Sequence, residues 1–315
     1  MKIRVIQTAD ATSGYKGLMD VTKEVNELYC KKWEYDYQAF IGMKRGYHSW
    51  NATFNRIYLM EEALTDSTID WVVYLDADCF VKDLNTRFEE IIYEDGPSGN
   101  NSEKAFIFCR GSSDELYDIN AGVFFMNVRH PGAAAIINIW KTYYETVITD
   151  QILYKASAPW SISCRSLCIQ DQSLLEYVFR MYHTMGVLDK YLHTYNGDRG
   201  NRFNYNGPFI RQLIRPHMGS KGPCIEERII DARIQVDEVL KLLYNNVASI
   251  VQTIPTVPVV PVVSTIPIVP VVPIKINNED SHMVLATGNS SSDVTQCVMM
   301  NCGGFISSGV FSPNA

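Results

Sequence analysis

The chain has 315 residues, of which 46% are hydrophobic, 20% charged and 11% aromatic, and its formal net charge is −7. This is globular composition, with apolar mass for one large domain or two small ones. The acidic balance argues against a nucleic-acid partner and against a polybasic membrane-surface protein, because both need basic faces. No run of about 18 apolar residues marks a membrane span.

In chain order, the opening MKIRVIQTAD has no long apolar stretch and no small-residue cleavage site, so it reads as a first strand and not as a signal peptide. That reading implies a cytoplasmic location and reduced thiols for the eight cysteines. No Cys-x2-Cys pair proposes a structural zinc site. Residues 15–32 carry Leu18, Val21, Val25 and Leu28 at helical spacing. A short strand is expected over 37–41 and a second helix over 49–64. The apolar run 71–81 fits a buried parallel strand. Further strands are expected over 105–109 and 123–127, and helices over 131–149 and 171–182. This rhythm predicts an α/β domain, a mostly parallel sheet with helices on both faces, whose chemistry gathers at the carboxyl ends of the strands.

Composition changes near residue 250. Residues 253–274 read TIPTVPVVPVVSTIPIVPVVPI, two related units with proline at every third position. Proline at that density supports neither a helix nor a central strand, and its period is that of polyproline II. The expected organisation is a domain over 1–248, a Pro/Val-rich extended linker over 249–275, and a tail over 276–315 that is either disordered or part of a further module.

Asp76-Ala77-Asp78 closes the apolar run Trp71-Val72-Val73-Tyr74-Leu75. Buried carboxylates are costly unless paired or bound to a cation. Residues i and i+2 of an extended chain share a face, so Asp76 and Asp78 are candidates to converge on one hard divalent ion, Mn²⁺ or Mg²⁺, which commonly also holds phosphates. The alternative is a strand that ends in a solvated acidic turn.

The string VVYLDADCFV resembles the D-x-D strand of GT-A nucleotide-sugar glycosyltransferases. Three later strings resemble the same enzymes in order and spacing: Ile119-Asn120-Ala121-Gly122-Val123, Gln170-Asp171-Gln172-Ser173-Leu174 and His217-Met218-Gly219-Ser220-Lys221-Gly222-Pro223. The similarity spans residues 1 to about 225. It is strongest to glycosyltransferase family 34, the retaining galactosyl- and xylosyltransferases, with the glycogenin-containing family 8 next. Arg45-Gly46-Tyr47 stands where family 34 has His-Gly-Tyr, and the late string has one residue between His and Gly where these families usually have two.

The resemblance implies a metal-dependent transferase that moves a hexose or pentose from a nucleotide sugar, a UDP-sugar first, to a hydroxyl of a glycan or glycoconjugate. Asp76, Asp78 and His217 would hold Mn²⁺ or Mg²⁺. Ala77, Gly219, Lys221 and Arg56 would lie against the donor, with Lys221 reaching the diphosphate. Thr8, Ala9, Asp10 and Tyr15, where the first strand ends, would receive base and ribose, Asp10 having helix capping as its alternative. Asn120, Asp171 and Gln172 would flank the reacting sugar, with retention and an α-linked product expected. Two other readings remain in play. One is a sugar nucleotidyltransferase of related fold, although TADATSGYKG is a poor version of its Gly-rich loop. The other is a non-catalytic carbohydrate-binding or assembly module displayed on the Pro/Val rod. A dehalogenase-type phosphatase fits worse, because its nucleophile strand opens the domain.

Overall fold

The computed structural model describes residues 1–11, 14–46, 49–96, 99–149, 170–195, 202–214 and 224–253. The strands are β1 (Ile3–Ala9), β2 (Asp36–Ile41), β3 (Trp71–Asp76), β4 (Cys79–Val81), β5 (Asp95–Gly96), β6 (Gly99–Asn100), β7 (Phe106–Arg110), β8 (Ile119–Asn127), β9 (Leu192–Tyr195) and β10 (Ile210–Gln212). The α-helices are α1 (Gly14–Trp33), α2 (Asn55–Thr65), α3 (Phe88–Ile92), α4 (Pro131–Val147), α5 (Asp171–Thr184) and α6 (Ile225–Thr253).

A six-stranded sheet in the order β2-β1-β3-β8-β7-β9 forms the centre. β2, β1 and β3 are parallel, as are β7 and β9, while β8 runs antiparallel to both neighbours. The expected mostly parallel α/β sheet is present, with this one reversal. Its cause is local: only the loop Gly111–Asp118 joins β7 to β8, and a parallel crossover needs a dozen or more residues.

The apolar run in β3 is buried on both faces. Trp71, Val73 and Leu75 join the core beneath α1 and α6, together with Ile3, Val5, Val123 and Phe125. Val72 and Tyr74 join the core beneath α2, α4 and α5, with Phe106, Phe108, Phe124 and Met126. On that second face, Phe108, Phe124 and Tyr74 stack across three strands, with ring centroids 4.9 and 5.0 Å apart. Each such pair contributes roughly 0.5–1.5 kcal/mol beyond its buried area.

Two expectations shift in detail. The run 71–81 is not one strand: β3 ends at Asp76, a turn covers 77 and 78, and β4 leaves the central sheet to pair antiparallel with β10. The helix expected over 49–64 opens as a 3₁₀ turn, Ser49–Phe54, before α2 begins, a common form of helix entry. Gly46, two residues past the second strand's exit loop, has φ +87°, and a Cβ there would lie 2.3 Å from Asn51 Nδ2, so glycine is required at that bend.

The last helix runs on to Thr253, past residue 248, and the chain's first compact unit is Met1–Thr256. The second unit, Val257–Ala315, lies outside the described residues, as do most of the Pro/Val segment and the tail. Among the described residues, no helix is long and apolar enough to cross a membrane.

Candidate active site

The carboxyl ends of β1 and β3 lie side by side, with Thr8 opposite Asp76 in register. Asp76 follows Tyr74 on the strand, and the Tyr74 hydroxyl donates to Asp76 Oδ1 at 3.1 Å. Arg56 of α2 lies over the Tyr74 ring at 4.7 Å, on top of the aromatic stack. Its Nη2 binds Asp76 Oδ1 at 2.6 Å and its Nε binds Asp171 Oδ2 at 3.0 Å. Its Nη1 donates to the Ala121 carbonyl at 2.5 Å. One guanidinium therefore joins three of the four sequence strings: the D-x-D turn, the Asn120 strand and the start of α5.

Asp171 is placed from two sides. It opens α5, and its carbonyl accepts the indole N–H of Trp140, a fully buried residue of α4, at 3.1 Å. Its carboxylate sits against Arg56 and is 12% exposed. Beside it, Gln172 Oε1 accepts from the Ala121 N–H at 3.2 Å and its Nε2 donates to Glu176 at 2.8 Å. Asn120 Oδ1 accepts from the Gly122 N–H at 2.9 Å. Asn120, Asp171 and Gln172 are therefore brought together around Ala121.

Asp78 faces elsewhere. Because 77 and 78 form a turn, the strand alternation expected to place both carboxylates on one face does not carry past Asp76. Asp78 Oδ2 instead binds Arg228 of α6 at 2.8 Å, and its Oδ1 accepts from Gln212 Nε2 at 3.4 Å. Arg228 also donates to the Leu213 carbonyl at 2.7 Å and to the Tyr15 hydroxyl at 3.2 Å, with its guanidinium 5.5 Å from the Tyr15 ring centre. Tyr15, expected to stack on a base, thus stands in the first turn of α1 against Arg228 and packs with Ala9, Met19 and Ala77. Gln212 lies close over Gly122: a Cβ there would meet Gln212 Nε2 at 2.1 Å, so a larger residue would displace the glutamine side chain. Thr8, Ala9 and Asp10 are buried at the end of β1, and Thr8 Oγ1 accepts from Asn55 Nδ2 at 2.9 Å.

The electrostatics follow from this packing. Burial works against the Arg56 charge, but Asp171 and Asp76 outweigh it and raise its pKa. Burial lifts Asp76 to about 7; Arg56 opposes this, while Asp78 and Asp171 add repulsion. Asp76 still keeps 28% of its side chain open. Asp78 is also raised, by burial, against the pull of Arg228. Two mutually repelling carboxylates on a short turn, one of them partly open, suit a hard divalent cation, which would relieve the repulsion. Asp76 and Asp78 supply the oxygen chemistry that Mn²⁺ or Mg²⁺ takes, but as placed each is paired with its own arginine and the two side chains face different ways. Among the described residues, no group of three or more His, Cys, Asp or Glu is placed to hold a metal. The expected third ligand His217 lies outside the described residues, and so do Gly219, Lys221 and Tyr47.

Sequence reasoning missed Arg228, Gln212, Asn204 and Tyr74. Asn204 Nδ2 reaches the Asn120 carbonyl at 3.5 Å. The buried Oδ1 of Asn204 and Oε1 of Gln212 have no hydrogen-bond partner among the described residues. A cavity of about 390 Å³ adjoins the site at Gln212 and Arg228, lined also by Tyr205, Arg211, Ile214 and Gln235. None of these positions carries a local motif. The signal for Arg228 was at most a lone arginine in the acidic first turns of a helix.

No protein-family model and no curated protein matches the chain. Among solved structures it is similar to a glycosyltransferase involved in glycosylation of the major capsid of PBCV-1, at 16% identity over 74% of this chain and 100% of that one, with a TM-score of 0.49. It is similar to the galactosyltransferase LgtC solved with donor and acceptor sugar analogs, at 14% identity over 73% of this chain and 95% of that one, TM-score 0.42. A third is mouse xyloside xylosyltransferase 1, at 10% identity over 71% of this chain and 100% of that one, TM-score 0.36.

Proposed function

We propose that this chain is a metal-dependent glycosyltransferase of the GT-A type, which moves a hexose or pentose from a nucleotide sugar, a UDP-sugar first, to a hydroxyl of a glycan or glycoconjugate with retention of configuration. The observation that carries this reading is Arg56, which binds Asp76 at 2.6 Å and Asp171 at 3.0 Å and so ties the D-x-D turn to the helix whose first residues would flank the reacting sugar.

Asp76 and Asp78 would hold the metal, with His217 as the third ligand that the resemblance implies. A divalent cation there would neutralise charge on the departing nucleoside diphosphate. The protein's own groups have separate tasks. Thr8, Ala9, Asp10 and Tyr15 line the end of β1, where base and ribose would sit, and Gly219 and Lys221 would close on the diphosphate. The Asp171 side chain sits against Arg56, an arrangement suited to steadying positive charge at the sugar's reacting carbon. The ion pair with Arg56 occupies Asp171 Oδ2, and this reading assigns the acceptor's proton to the departing phosphate oxygen, as in a retaining transfer. Gln172 and Asn120 are fixed by their own bonds to Ala121 and Gly122 and would orient the sugar hydroxyls. The transferase unit in this reading is the compact unit that ends at Thr256, with the Pro/Val segment as a spacer beyond it.

The test is to incubate the protein with UDP- and GDP-sugars, in Mn²⁺ or in EDTA, and to follow release of nucleoside diphosphate. Metal-dependent release from one donor class is expected. Equal release in EDTA and in Mn²⁺, or no release and no binding of any donor, would overturn the proposal; the latter result would favour the carbohydrate-binding module.

A further inference from the structure

A glutamine, a threonine and an asparagine, all with no exposed surface, sit in the core beneath the D-x-D turn. Gln7 lies on β1 on the same face as Ile3 and Val5, amid the apolar side chains that α1 and α6 cover. Thr22 and Asn26 lie one turn apart on α1. Gln7 Nε2 reaches the Asp76 carbonyl at 3.0 Å and the Cys79 carbonyl at 3.2 Å. Thr22 Oγ1 donates to the Ala77 carbonyl at 2.9 Å. Asn26 Nδ2 donates to the Cys79 carbonyl at 3.0 Å, and its Oδ1 accepts from the Val81 N–H at 2.9 Å.

The three side chains also fix each other. Gln7 Nε2 lies 3.0 Å from Thr22 Oγ1, and Gln7 Oε1 accepts from Asn26 Nδ2 at 3.2 Å and from the Tyr37 hydroxyl at 2.6 Å. Buried polar side chains are costly without partners, and here every polar atom of Gln7 and Asn26 is used. What they grip is specific. The carbonyls of 76, 77 and 79 are those of the turn between β3 and β4, which bears Asp76 and Asp78.

We propose that Gln7, Thr22 and Asn26 are positioning residues for the Asp76–Asp78 pair: by holding the turn's carbonyls toward the core they fix how the two carboxylates are presented to a divalent cation. This rests on the reading of that turn as the metal-holding turn. Groups behind a metal's ligands orient them, and their loss typically lowers metal affinity about 10–100-fold.

Thr22→Val keeps the shape of the side chain and removes the hydroxyl bonded to Ala77, while Thr22→Ser restores it. Mn²⁺ binding to the full chain in the presence of UDP is read by the electron paramagnetic resonance signal of free Mn²⁺, with thermal melting of the metal-free protein alongside. The expected result is Mn²⁺ affinity at least tenfold weaker in Thr22→Val and close to the original in Thr22→Ser. If Thr22→Val does not fold, Tyr37→Phe carries the same test, because it releases Gln7 Oε1 from outside the cluster and is expected to weaken Mn²⁺ in the same direction. Unchanged Mn²⁺ affinity in a folded variant overturns the positioning role alone. A wild-type chain that takes up no Mn²⁺ with UDP overturns the metal reading of the turn, and this inference with it.

Discussion

Arg56→Met is the most searching perturbation of this site. The guanidinium is 6% exposed and serves two carboxylates, Asp76 at 28% and Asp171 at 12% exposure. It also fills hydrogen bonds to the carbonyls of Ala121 and Thr53. Methionine matches the stem and keeps contact with Tyr74, so packing changes little. What changes is charge: two carboxylates that already repel are left without their shared cation. Removing one partner of a buried pair costs about 3–5 kcal/mol, chiefly because the remaining charge stays buried. For a domain of this size each kcal/mol lowers Tm by roughly 2–4 °C, so a fall of roughly 6–20 °C is expected. Arg56→Lys should recover only part of this, because one ammonium cannot bridge both carboxylates as the planar fork does. Adding Asp171→Asn to Arg56→Met removes one of the stranded charges and should restore part of the stability, so the pair of changes will not be additive. Melting curves at pH 8 in EDTA, for the single and the combined variants, provide the measurement. A shift under about 2 °C in Arg56→Met, or strict additivity with Asp171→Asn, would refute the view that Arg56 is the shared counter-ion of the two carboxylates.

Asp76→Asn should abolish turnover in Mn²⁺ while melting at or above the wild-type temperature, since it removes a carboxylate that burial lifts to about 7; retained metal-dependent turnover would contradict its place in the metal turn. A chain ended at Thr256 should be soluble and as active as the full chain, because the compact unit closes there; loss of folding would show that the remaining residues belong to the domain. The product's anomeric coupling constant should report retention, and Asp171→Asn should show little rescue at high pH; a loss of about 10²–10⁴-fold that high pH restores would identify Asp171 as a general base and point to inversion. His193, 8% exposed on β9, has its pKa lowered from 6.5 by burial, with Lys104 and Arg110 acting in the same sense and Glu94 against. The unfolded chain takes up this proton first, so stability held above about pH 6.5 should be lost as pH falls toward the lower folded value; His193→Gln should flatten that limb, and an unchanged limb would exclude His193 as its source.

The sequence by itself determined the class of the fold and pointed to the carboxyl end of β3 as the candidate site. Period-3.6 and apolar runs are local properties, and they marked α1, α5, β1 and the start of β3 within a residue or two because each element buries a stripe or face legible along the chain, while the break after Asp76 was not marked. The Asp76-Ala77-Asp78 triplet stood out for the same local reason: carboxylates directly after five apolar residues. The β8 reversal was not legible, since the strands expected over 105–109 and 123–127 left a connection long enough for a crossover, and only the structure shortens it to 111–118. What only the tertiary structure decided was the company each carboxylate keeps. Asp76 meets Arg56 and Asp78 meets Arg228, 150 residues away in the chain, on different elements. Arg56 was singled out by the resemblance alone and not as a partner of Asp76, and nothing local distinguishes Arg228, which counts only because α6 packs on α1 beneath the turn. Gln7, Thr22 and Asn26 are subject to the same limit. In the sequence they are polar interruptions in a strand and a helix, and they acquire meaning only when β1 and α1 close on three carbonyls of the Asp76–Cys79 turn.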